Sequence, residues 1–174
     1  MAVMPLFTVV CALLVLAGVL KVRSPGRAAS SLALAGLQMP PAAMRALGVA
    51  EVAVGGIAAA RPNPISAGAV ALAYGIFAAF IVRLRRRGDE VDCGCFGAEG
   101  GGATRVHIVL NAAACAVAVA AALAPPPGTT WILTRGPLIV VALVCGTAAA
   151  VLAAYAAFTL LPDAWRAYGS GERP

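Results

Sequence analysis

The chain has 174 residues, a single-domain length, but 61% of them are hydrophobic and only 11% are charged. Soluble domains carry roughly 45–50% apolar and about 25% charged residues, so an ordinary soluble fold is excluded. The net charge of +6 does not imply nucleic acid, because the charges gather in 21–27, 83–105 and 162–174, beside long uncharged runs. A charge at the centre of a bilayer costs at least about 2.5–3.5 kcal/mol on insertion scales, and this segregation is the expected result. The pattern predicts an all-α, polytopic membrane helix bundle, with four core transmembrane helices plus a fifth, C-terminal one. Residues 1–162 form a single membrane-embedded bundle, and 163–174 a short polar tail.

The first uncharged run, 4–20, is long enough to cross with Ala2 and Val3 included, at 1.5 Å per residue against a hydrocarbon core of ~30 Å. A secretory signal is the rival reading, but it needs positive charge before the apolar run and a small-residue cleavage site after it. Here Lys21, Arg23 and Arg27 follow the run, so a retained span with its N-terminus outside is expected. Residues 28–41 carry Ser30, Ser31, Gln38 and Pro40-Pro41, which suits a short interfacial helix closed by a proline turn. The second span, 42–60, is the weakest, holding Arg45, Glu51 and Gly55-Gly56. Pro62-Asn63-Pro64 makes a tight turn, since proline fixes φ and removes an amide donor.

The third span, 65–82, ends in the basic run Arg83-Leu84-Arg85-Arg86-Arg87. A polar island with Cys93 and Cys95 follows, then Gly100-Gly101-Gly102, which lacks the Gly-Lys-Ser/Thr ending of a phosphate loop. The fourth span, 106–124, stops at Pro125-Pro126-Pro127, and the fifth, 137–161, is the longest apolar run. Trp165 and Tyr168 in the tail suit an interfacial anchor. With five spans and the N-terminus outside, Lys21, Arg23, Arg27, Arg45, Arg83, Arg85, Arg86, Arg87, Arg105, Arg166 and Arg173 fall inside, and only Arg61 and Arg135 outside. The positive-inside rule then places the cysteine island on the cytoplasmic face of the plasma membrane.

Five cysteines are an odd number without a regular framework. Cys11, Cys115 and Cys145 stand alone in apolar runs, where cysteine is most often a small buried hydrophobe. Cys93 and Cys95 are separated by one glycine, and such a pair can bridge because Gly94 permits unusual φ. So small a ring would be strained and easily reduced. The arginines upstream favour a thiolate, and Asp89, Glu90 and Asp92 oppose it. Three readings of the pair remain: dithiol–disulfide exchange, soft-metal binding with His107 as a third ligand, and two unreactive loop cysteines. For the exchange reading no metal is expected.

Glu51 is a second candidate site, because an ionisable group near the middle of a span is either functional or paired. The alternative is a protonated carboxyl, hydrogen-bonded to a neighbouring helix for packing. His107, Asn111 and Cys115 are four residues apart and share one face of the fourth helix, which descends from the island. His107 fits proton handling or a structural hydrogen bond, and Asn111 interhelical bonding. A polar strip from Cys93 and Cys95 toward Glu51 would suit proton-coupled thiol oxidation.

The element Asp92-Cys93-Gly94-Cys95-Phe96-Gly97 after a basic-ended span, followed by a helix with Asn111 near its start, resembles the MauE/DoxX group of redox-associated membrane proteins. Lys21-Val22-Arg23-Ser24-Pro25 after the first span and Glu51 in the second also resemble that pattern, over about residues 5–124. The resemblance implies a part in maturing methylamine dehydrogenase, whose small subunit needs many disulfides, with a thioredoxin-like protein and a disulfide-containing client as partners. Such maturation is served by cysteines outside, whereas the charge count sets them inside. Two function classes follow. One is a membrane thiol–disulfide redox protein, a component of an oxidoreductase system with a quinone as candidate electron acceptor. The other is a non-enzymatic scaffold or metal-handling subunit; a transporter ranks third, with one ionisable residue deep in a span.

Overall fold

The computed structural model describes residues 3–34, 36–86, 105–128, 132 and 134–159. Among these residues the main helices are, in order, α1 (Val3–Arg23), α2 (Pro25–Leu34), α3 (Pro41–Ala60), α4 (Pro64–Arg86), α5 (Arg105–Leu123) and α6 (Pro137–Thr159). No strand occurs among the described residues. All except α2 are long and apolar enough to cross a membrane. The all-α polytopic bundle expected from the charge-free runs is therefore the observed architecture. Its outer face carries Leu6, Ile57, Ile65, Leu72 and Val109, large exposed side chains that suit contact with lipid tails.

The ends of these helices have local causes. Four helices begin at a proline (Pro25, Pro41, Pro64, Pro137), whose fixed φ and missing donor suit the first helical position. Asn63 caps α4: its Oδ1 accepts from the amides of Ile65 and Ser66 at 3.0 Å each. Ser66 Oγ returns the favour by accepting from the Asn63 amide at 3.1 Å. The expected turn at 62–64 is thus a reciprocal capping motif as well as a proline bend. The short helix expected within 28–41 begins earlier and ends at Leu34. Gly36, with φ 77°, lets its amide reach Ala33 O at 2.8 Å while the Leu37 amide reaches Leu32 O at 3.0 Å. That paired closure needs a left-handed residue, which is why glycine stands there.

The bundle is built from two helix pairs, α1 with α3 and α4 with α5, joined by contacts of α1 with α5 and of α3 with α4. In the first pair Gly18 faces Gly48 and Cys11 faces Gly55, so the helices run antiparallel. A Cβ on Gly18 would lie 2.5 Å from Gly48 O, and one on Gly48 would lie 2.6 Å from Gly18 O. Small residues let the backbones approach, as membrane helix interfaces require. Gly128, after α5, abuts the Ala60 carbonyl at the end of α3, so α5 runs antiparallel to α4. The ends carrying Arg23, Arg86 and Arg105 therefore share one side of the bundle, with Arg61 on the other.

Between the pairs lies a core of Phe7, Val10, Cys11 and Leu14 from α1, Val70, Ala71 and Tyr74 from α4, and Ala114, Ala118 and Ala121 from α5. Tyr74 Oη donates to Val10 O at 2.8 Å, satisfying the one hydroxyl set among these apolar groups. Helix α6 packs along α1 and buries none of its span, so it is an outer helix beside the four-helix core. Gly48→Ala is expected to lower the stability of the purified protein by about 1–3 kcal/mol, because backbone cannot yield as a side-chain tip can. Gly56→Ala, whose Cβ meets nothing within 4 Å, should be neutral or slightly stabilising. Equal thermal shifts for the two variants would contradict the close approach.

Candidate functional site

The charged centre of the bundle is formed by Lys21 and Glu51. Lys21 lies one turn from the end of α1, and Glu51 lies ten residues into α3. Gly18 stands opposite Gly48, so Lys21 and Glu51 sit three residues to either side of that crossing and their side chains meet across it. Lys21 Nζ donates to Glu51 Oε2 at 2.7 Å, and the two side chains are only 7% and 4% exposed. Gly18 and Gly48 flank the pair and bring the two backbones close enough for the short carboxylate to meet the long ammonium.

Lys21 Nζ also lies 4.8 Å from the centre of the Phe77 ring, which in turn packs edge-on against Tyr74 at 5.9 Å. An aromatic face stabilises a desolvated cation by about 2 kcal/mol. Glu51 Oε1 has no hydrogen-bond partner among the described residues. Glu51, read from the sequence as functional or paired, or else as a protonated carboxyl held for packing, is found beside Lys21, which was legible only as an interfacial charge. The hint lay in the register: Lys21 and Gly18 on one helix repeat the three-residue offset of Glu51 and Gly48 on another.

His107 and Asn111 are buried on the inward face of α5, and Cys115, one turn further, is half-buried. Asn111 Nδ2 donates to His107 O at 2.7 Å, a bond within α5 in place of the interhelical one expected. Cys115 Sγ meets Ala71 O of α4 at 3.3 Å, so the sulfur is the interhelical contact on this face. The strip expected from Cys93 and Cys95 toward Glu51 begins at residues outside those described; of its other members His107 and Asn111 are buried on α5 and Glu51 is buried on α3. Of the solitary cysteines, Cys11 is fully buried as expected, and Cys145 is exposed because α6 lies outside the core.

Cys93, Cys95 and the glycine run 100–102 lie outside the described residues, as do Trp165 and Tyr168. The segment holding the cysteine pair joins Arg86 of α4 to Arg105 of α5, so both of its anchor points belong to the basic end. His107 stands two residues inside the second anchor. Among the described residues no three His, Cys, Asp or Glu side chains come together; two of the three metal ligands considered, Cys93 and Cys95, are not among these residues.

The family of methylamine utilisation protein MauE matches residues 1–124, which span α1 to α5 and include the cysteine island. No curated protein and no solved structure matches the chain.

The buried pair makes a double-mutant cycle informative. Lys21→Met alone or Glu51→Met alone should destabilise by about 3–5 kcal/mol, since each strands a buried charge, while the double variant should recover most of the loss. Denaturant midpoints of the four proteins measure this. Additive losses would mean that the two groups do not interact.

Proposed function

This chain belongs to the MauE family, and on that premise we propose that it is a multi-pass membrane thiol–disulfide redox protein of methylamine utilisation, with Cys93 and Cys95 as the exchanging pair. The observation that carries the reading is the family match, because it spans the Cys93-Gly94-Cys95 element. The client suggested by the family resemblance is methylamine dehydrogenase, and the partner a thioredoxin-like protein.

In the exchange, a client thiolate attacks one sulfur of the Cys93–Cys95 disulfide and the other sulfur leaves as thiolate. A second client thiolate resolves the mixed disulfide. The client loses two electrons and gains a disulfide, and the pair gains two electrons as a dithiol. A thioredoxin-like disulfide or a membrane quinone is an oxidant of the class needed to reset it. The bundle supports this role by fixing both anchors of the cysteine segment at one end, above the buried face of His107 and Asn111. His107 is proposed to accept a proton from the dithiol as it is reoxidised. Glu51 has a salt-bridge partner already, so its proposed role is to hold α1 and α3 in register below the segment.

The gathering of Arg23, Arg83, Arg85, Arg86 and Arg105 at one end supports a plasma-membrane orientation with that end, and the cysteine segment, in the cytoplasm. A scaffold role is the second reading, favoured by the ion pair and close glycine packing, which rigidify the bundle without any redox chemistry.

Alkylation mass shifts across a graded glutathione series test the exchange. Cys93 and Cys95 should change state together under mild reductant, and Cys93→Ser should abolish exchange while leaving the helical signal intact. Thiols that stay fixed over the whole series, with and without chelator, would leave the scaffold reading. Reporter fusions after Gly97 test orientation: a cytoplasmic reporter should be active, and an export-dependent one silent.

A further inference from the structure

A cavity of about 930 Å³ opens between α2, α3 and α4 at the basic end of the bundle. That is near the upper end of the roughly 300–1,000 Å³ of small-molecule sites. Ala28 and Leu32 of α2, Leu37 and Met39 of the following linker, and Ile76 and Phe80 of α4 contribute apolar walls. The linker is held in place by the glycine closure of α2, so the cavity has a roof as well as a helix face. Every polar side chain lining it among the described residues is a cation: Lys21, Arg83 and Arg86.

The three cations are not equivalent. Lys21 is neutralised by Glu51. Arg83 and Arg86 lie three residues apart in the last turn of α4, on the face that continues Ile76 and Phe80, and both are exposed. Neither forms an ion pair with a described residue. A neutral apolar occupant would fill the walls and leave two guanidiniums unmatched. A free anion would match the guanidiniums and leave the walls empty. An amphipathic anion satisfies both, and guanidinium binds phosphate through two parallel hydrogen bonds.

We propose that this cavity is a binding site for one anionic phospholipid, its phosphodiester held by Arg83 and Arg86 and an acyl chain lying along Leu32, Leu37 and Phe80. Basic pockets between transmembrane helices recognise such headgroups in this way. Its occupancy is read without thiol chemistry.

Native mass spectrometry of the full-length, delipidated protein tests it, by titration with phosphatidylglycerol and with phosphatidylcholine of the same acyl chains. One phosphatidylglycerol should be retained at least tenfold more tightly than phosphatidylcholine. Arg83→Ala/Arg86→Ala should weaken retention at least tenfold. Ala79→Trp, which fills the cavity wall without changing charge, should do the same, and it decides the matter if the double variant does not fold. The proposal is overturned by equal retention of the two lipids, or by a folded variant that binds as the parent does. It is also overturned if inorganic phosphate displaces the lipid, or if ubiquinone is held in preference.

Discussion

Glycine at positions 18 and 48 sets how closely α1 approaches α3, and that distance decides most of what happens at the basic end of the bundle. At ordinary helix separation the Glu51 carboxylate, with its short side chain, would not reach Lys21 at 2.7 Å. The pair then sets the register of the two helices, because sliding either by one turn would leave two buried charges apart. Separating them in a low-dielectric interior costs several kcal/mol, more than the pair contributes relative to an apolar replacement. Its value to the structure is therefore specificity: one registration of α1 against α3 is strongly preferred.

From that register the rest of the basic end follows. Helix α3 packs on α2 as well as on α1, and α2 is closed by Gly36. The space between α2, α3 and α4 is lined by Lys21, Arg83 and Arg86. Phe77 serves both regions, since it lines this space and lies against the Lys21 ammonium. Across the bundle, α4 and α5 deliver both anchors of the cysteine segment to the same end.

Two kinds of membrane burial coexist here. The Ala-rich face of α5 and the small residues of α1 and α3 give close backbone packing with few large side chains. Where polar groups enter this packing they are tied to a near partner: Tyr74 to a backbone carbonyl, Asn111 to its own helix, Lys21 to Glu51. Local satisfaction suits a solvent without water, where an unpaired donor costs several kcal/mol. Helix α6 buries none of its span, and its mostly apolar surface suits a helix in lipid beside the core.

The sequence by itself determined the number of spans, their order and the segregation of charge, because the bilayer imposes length and polarity on each helix separately. It also pointed to the family, through Cys93-Gly94-Cys95 and its neighbours, and to Glu51 and His107 as residues out of place in an apolar run. What it did not reveal is which of these meet. Lys21 read as a flanking charge, since nothing in a linear pattern says which residue of α3 its side chain meets. Asn111 read as a bond between helices, and the carbonyl one turn back proved nearer. Tertiary structure decided these pairings because they depend on the offset and rotation of one helix against another, which close glycine contacts fix and hydropathy does not encode.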